Sequence, residues 1–298
     1  MQNRSRQRRR APADARAFWS TADARQIERA LRASSRGPDA DAARALRDRV
    51  AANVLADPAL AVRLARALLR STHRATPAPS AQVRAIAWRA HAEASVFSGR
   101  LKTARQAYER ACDLAQQARD RSLLAQMLVG RVHLLSLLGE ATEAARHGRR
   151  AERLLRQSGD LIYLGKLYMN RGNAHYQGDR YAEAHAAYGK AARVFERAGV
   201  QDATWASLLM NQGIACTHLS RVREARGFFL QTEAAAEELG LDALAAQARF
   251  NRAFLERLRG DYRLALRLLE AASAVFSAHG ARDMLAAAER ERAETYLD

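Results

Sequence analysis

The sequence predicts an all-α chain, a right-handed superhelical solenoid of antiparallel helix pairs, and three observations carry that prediction. Small residues recur at a fixed interval: Ala104, Ala144, Ala184, Ala225 and Ala265 stand 40 or 41 residues apart. Twelve residues before each stands another small or slim residue, namely Ala92, Val132, Gly172, Gly213 and Ala253. Between the two lies a turn signal, Ser98-Gly99, Gly139-Glu140, Gly178-Asp179, Ser220 or Gly260-Asp261. A period of this length marks one two-helix unit copied along the chain, each copy burying its apolar face against the next.

Within a unit the anchoring alanine begins the stripe of the second helix, helix B. Four residues on come Tyr108, Tyr188, Phe229 and Leu269, with Gly148 as the exception, and three further on Ala111, Ala151, Ala191, Thr232 and Ala272. Steps of four and three keep a stripe on one helix face. Glycine closes four of these helices, at Gly159, Gly199, Gly240 and Gly280, and it tolerates the left-handed conformation that commonly ends a helix. Strand alternation and β-branched runs are missing, which agrees with an all-α reading.

In chain order, residues 1–13 hold five arginines and are expected to be a disordered tail. Asp14 to about Ser34 reads as a helix, broken by Ser35-Arg36-Gly37-Pro38. Asp41 to Ser71 reads as a helix pair turning near Ala56-Asp57-Pro58. Together 14–71 form a degenerate N-terminal cap over the open end of a stack. Pro77 and Pro79 mark a linker over 72–82. The array then covers 83–298, with repeats at about 83–120, 123–159, 161–199, 202–240 and 243–280. Residues 282–298 supply a partial sixth helix, which suits either a polar cap or the opening of a further repeat in a longer protein.

These units resemble the tetratricopeptide repeat (TPR) family, with Gly172, Tyr176, Ala184, Tyr188 and Ala191 carrying the likeness best. The period is about 40 instead of 34, and the closing proline of the family is missing. At a finer level MNRGNAHYQGDRYAEAHAAYGKAARVFERAG, RAFLERLRGDYRLAL and AAERERAETYLD resemble the N-terminal repeat region of bacterial CHAT proteins, which carry TPR arrays ahead of a caspase-like peptidase domain. That resemblance implies a sensor or docking arm for a protease, and the chain holds none of the peptidase residues.

In a stack of helix pairs the first helices, helices A, line the groove. Phasing from Gly172 directs Arg89 and Glu93, His133, Lys166, Asn170 and Asn173, Asn211 and His218, Asn251 and Arg257, and Arg290 and Glu294 toward it. Asparagine is a mediocre helix former, at about 0.5 kcal/mol against alanine, so Asn170, Asn211 and Asn251 at one phase require a cause. One cause is an amide ladder for the backbone of an extended peptide, with basic neighbours for carboxylates, and the TPR resemblance implies the same for Asn170 and Asn173. The other is hydrogen bonding between helices that sets repeat spacing.

Net charge is +17, and among 49 basic residues only Lys102, Lys166 and Lys190 are lysine. Arg146, Arg149, Arg150 and Arg153 form a basic ridge suited to loose, salt-sensitive contact with nucleic acid, but at 6% aromatic content stacking platforms are lacking. Cys112 and Cys216 are expected as buried thiols of a reducing, cytoplasmic compartment, and no run is long enough to span a membrane. His-Glu-x-x-His, paired metal-spaced cysteines and phosphate loops do not occur, and His133, His175 and His185 read as surface or packing residues. The expectation is a scaffold without catalysis, cofactor or metal that holds a protein or extended peptide. The alternatives are the sensing region of a bacterial transcriptional regulator and a basic nucleic-acid-binding solenoid.

Overall fold

The computed structural model describes residues 14–54 and 57–297, with side chains from Phe18 onward. Every regular element among them is an α-helix: α1 (Asp14–Thr21), α2 (Ala24–Ala33), α3 (Ala40–Asn53), α4 (Pro58–Arg74), α5 (Ala81–Phe97), α6 (Leu101–Gln117), α7 (Arg121–Leu137), α8 (Ala141–Ser158), α9 (Leu161–Gln177), α10 (Tyr181–Arg197), α11 (Ala203–His218), α12 (Val222–Glu238), α13 (Asp242–Leu258), α14 (Tyr262–Ala278) and α15 (Arg282–Leu297). The helix pairs follow one another in sequence, and the chain divides after Leu154 into two compact units.

In the first unit α5 packs on α6, α6 on α7, and α3 and α4 both pack on α5. Tyr108 of α6 is buried among Ala92, Val96, Ala104, Ala107 and Leu134. The segment expected as one helix over 14–34 is two, because Asp23 starts a new one: its carboxylate accepts the Gln26 amide, and the Gln26 side chain accepts the Asp23 amide. This reciprocal pair satisfies donors that a helix start leaves open. Asp57 caps α4 ahead of Pro58, while the centre of that turn, residues 55 and 56, lies outside the described residues. The expected linker is shorter than 72–82, since α4 runs to Arg74 with Thr72 buried, and the Thr76 amide donates to the Ser35 carbonyl at 2.9 Å. The arginine tail, 1–13, lies outside the described residues.

The second unit has two layers. Neighbouring contacts run α9–α10–α11–α12–α13–α14–α15, and the alternate helices α9, α11, α13 and α15 also touch in succession. These form the layer of A helices, and α10, α12 and α14 form the layer of B helices. Small residues of helix A sit beneath aromatic rings of helix B: a Cβ added to Gly172 would overlap Tyr188, one at Gly165 would overlap Phe195, and one at Gly213 would overlap Phe229. The period-40 alanines Ala184, Ala225 and Ala265 are fully buried. Aspartates begin several A helices, with Asp160 accepting from the Tyr163 amide at 3.1 Å and Asp202 from Thr204 at 2.8 Å.

Gly159, Gly199, Gly240 and Gly280 take positive φ where the sequence predicts helix ends. The turns between A and B use the same conformation, with glycine at Gly99, Gly139 and Gly260 but Asp179 and Ser220 in the other two. In the third repeat the left-handed residue is therefore Asp179, and Gly178 keeps a φ of −100°. Cys112 and Cys216 are free and buried, and burial pushes both thiols up to about 11. No helix of the described residues is long and apolar enough to cross a membrane.

Candidate functional site

The A-helix layer of the second unit brings together part of the predicted amide set. Asn173 on α9 accepts a hydrogen bond from the Tyr188 hydroxyl at 2.8 Å and another from Asn211 Nδ2, on α11, at 3.2 Å. Asn251 on α13 donates to the Gln247 carbonyl of its own helix at 3.0 Å and lies 3.5 Å from Met210 Sδ on α11. All are half-buried, as is Asn170, which has partners of its own. Asn173, Asn211 and Asn251 thus each have a hydrogen-bond contact to a neighbouring helix while remaining at the layer surface.

Beside Asn251 the layer opens into a cavity of about 580 Å³. Phe250, Phe254, Leu255 and Leu258 of α13 form one wall, and Ile214, Thr217 and His218 of α11 form another, with Tyr176 of α9 completing it. Leu258, at the edge of this wall, leaves 58% of its surface exposed. At the mouth His218 stacks on Tyr181, ring centroids 4.2 Å apart and planes within 13°, and its Nε2 lies 3.1 Å from the Tyr176 hydroxyl. Asp179 fixes this corner by accepting the Tyr181 hydroxyl at 2.7 Å, a bond that raises the phenol above its ordinary range. The volume falls within the span of ligand-sized pockets, and apolar walls with a few polar groups suit one large side chain of a partner.

The remaining predicted residues are placed otherwise. Arg89 is a correction: it is buried at 5% exposure, donating to Glu93 at 2.8 Å and to Gln126 at 2.8 Å, while Arg47 of α3 binds the same Glu93 at 2.9 Å. Its phase explains this. Arg89 stands three residues before the small anchor of its helix and the asparagines two, and one residue turns a helix by about 100°. Between two guanidiniums, which outweigh the cost of burial, the Glu93 carboxyl is held down to about 2. Arg257 is likewise engaged, by Glu291 at 2.7 Å and Glu294 at 3.3 Å.

His133 is half-buried with its ring 6.1 Å from Phe97, and burial lowers its pKa. Lys166 sits over the Tyr163 ring at 5.3 Å, and Arg290 is exposed. On α8 the ridge Arg146, Arg149, Arg150 and Arg153 is exposed as predicted, with Arg146 bound to Glu143.

The sequence reading missed the cavity. A signal for it existed: five residues after each helix-A anchor stand Phe97, Leu137, Gln177, His218 and Leu258, all exposed and mostly apolar or aromatic. An exposed residue of that kind recurring at one phase serves a surface, not the core.

No family model matches the chain, and no curated protein matches it. Solved structures do match. A STAND signal-transduction ATPase with a tetratricopeptide repeat sensor, from Pyrococcus horikoshii, aligns with TM-score 0.66 at 14% identity, over 97% of this chain and 44% of that one. A Rap protein complexed with competence and sporulation factor gives 0.62 at 14% identity, over 92% and 79%. BtubC from P. vanneervenii gives 0.56 at 19% identity, over 85% and 92%. At these identities the likeness concerns the fold, which is that of TPR solenoid structures.

Proposed function

We propose that the chain is a non-catalytic docking module that holds a protein or extended peptide on the A-helix layer of its second unit. The observation that carries this reading is the apolar cavity beside Asn251, walled by Phe250, Phe254 and Leu258 and edged by the His218–Tyr181 stack. An extended segment lays one large apolar side chain into the cavity. Its backbone meets the amide surface of Asn251 and Asn211, and acidic side chains favour a chain of net charge +17. The Rap protein matched above, in complex with competence and sporulation factor, is a precedent for a partner carried on this fold. A docking arm of a CHAT-type protease is the finer version suggested by repeat texture, and the structural matches lend it no support.

The test is selection from a random peptide library on the purified chain, followed by binding to Leu258→Asp. Peptides with a large apolar residue should dominate, and the variant should bind them about tenfold or more weakly, a change of about 1.4 kcal/mol. Selected peptides that bind Leu258→Asp and Phe254→Ala as tightly as the parent chain overturn the reading.

A further inference from the structure

His185 and Cys216, which sequence reasoning gave packing or surface roles, converge with Glu224, to which it gave none. His185 of α10, Cys216 of α11 and Glu224 of α12 place their ligating atoms all within 4.8 Å of one another. Cys216 Sγ lies 3.5 Å from His185 Nδ1. Bonds of about 2.3 Å to a thiolate and about 2.0 Å to an imidazole at a tetrahedral centre separate sulfur and nitrogen by about 3.6 Å, so this pair needs almost no movement to ligate. Cys216 is buried, His185 half-buried and Glu224 exposed, which grades the donors from an interior thiol to a carboxylate open to entering ions.

The repeat supplies an internal comparison. The His185–Cys216 seat recurs 41 and 40 residues later as Arg226 and Glu256, joined at 2.6 Å. Glu256 is fully buried there, so α12 and α13 are held together by an ion pair at this position. Between α10 and α11 the same seat offers only a thiol facing an imidazole, a weak hydrogen bond. A cation on these two groups and Glu224 would restore a strong polar join.

We propose that His185, Cys216 and Glu224 form a three-ligand site for a zinc-class divalent cation, with water in the fourth position, clipping α10, α11 and α12 together. On binding, the Cys216 S–H bond gives its proton to solvent and the sulfur electron pair forms the metal bond. Neutral His185, protonated on Nε2, contributes the Nδ1 pair. Glu224 gives up its loose contact with Arg221, 3.9 Å away and half-exposed, which is the competing cation at the mouth.

Cobalt(II) is the probe, titrated into the full-length chain without an affinity tag. One equivalent should bind with thiolate-to-cobalt charge-transfer absorption, zinc should displace that signal, and the melting temperature should rise with metal. Cys216→Ser should abolish the absorption and Cys112→Ser should keep it. Glu224→Gln should weaken binding about tenfold or more, since even outer-shell partners cost that much, while Arg221→Ala should tighten it. Saturating cobalt without charge-transfer absorption in the parent chain, which requires no variant to fold, overturns the proposal. So does absorption that survives in Cys216→Ser or His185→Ala.

Discussion

At α5 in the first unit charged side chains close the helix surface with one another, whereas at α11 and α13 in the second unit aromatic and amide side chains leave theirs open. Glu93 is held by Arg47 and Arg89 within one partly buried network. Beside Asn251 the cavity wall is built of Phe250, Phe254, Leu255 and Leu258, Leu258 stands in solvent, and a cavity of about 580 Å³ remains. The contrast teaches that a groove-facing arginine in a repeat array is not by itself a ligand contact. A guanidinium with a carboxylate in reach is consumed by it, and the apolar side chains lining the cavity are what stay available.

The largest expected effect breaks the closed side. Glu93→Ala leaves Arg47 and Arg89 without their shared carboxylate, and loss of about 3–5 kcal/mol of stability is expected from urea unfolding. The same carboxylate gives a pH signature. Its folded pKa, about 2, lies below the ordinary 4.5, so its contribution is fully present above about pH 4.5 and is lost as pH falls through about 2. Melting temperature should fall over that window in the parent chain, and Glu93→Gln should flatten this part of the curve.

Next comes the scaffold beneath the open side. Gly172→Ala drives a methyl into the Tyr188 ring, with an expected cost of about 1–3 kcal/mol, and pairing it with Tyr188→Leu should recover part of the loss. A full-strength single variant would show that α9 and α10 yield more readily than their packing implies. A smaller effect, confined to binding, is expected for Leu258→Asp: peptide affinity drops while stability stays within about 0.5 kcal/mol. Should stability fall with affinity, Leu258 belongs to the core and the contrast between the two regions weakens.

The smallest effect is a gain. Ser220, at the cavity rim, holds a φ of 57° where three of the four sister turns use glycine. Ser220→Gly should raise stability by up to about 1 kcal/mol, read as a higher melting temperature, because a side chain in the left-handed region costs about that much.

Much of this was legible before any coordinates. The alanines at period 40 lie in the core, and the helix-ending glycines at 159, 199, 240 and 280 take the backbone conformation their chemistry favours. Reading failed where a helix start inside a periodic run, at Asp23, looked like continuation. It failed again at Arg89, where an error of one residue in phase moved a side chain from surface to interior. The asparagines were placed on the correct layer of helices, yet their bonds to Tyr188, to Met210 and to one another depend on which helix stands beside which, and no spacing states that.

Periodicity by itself determined that this chain folds as helix pairs, because apolar burial and glycine's backbone freedom act within one repeat and are copied with it. Tertiary packing alone decided that Phe250, Phe254 and Leu258 face Ile214 and His218 across a void and that His185, Cys216 and Glu224 meet. Both groupings draw side chains from different repeats, and the distance between such side chains depends on helix rotation and separation, which accumulate from every contact in the stack.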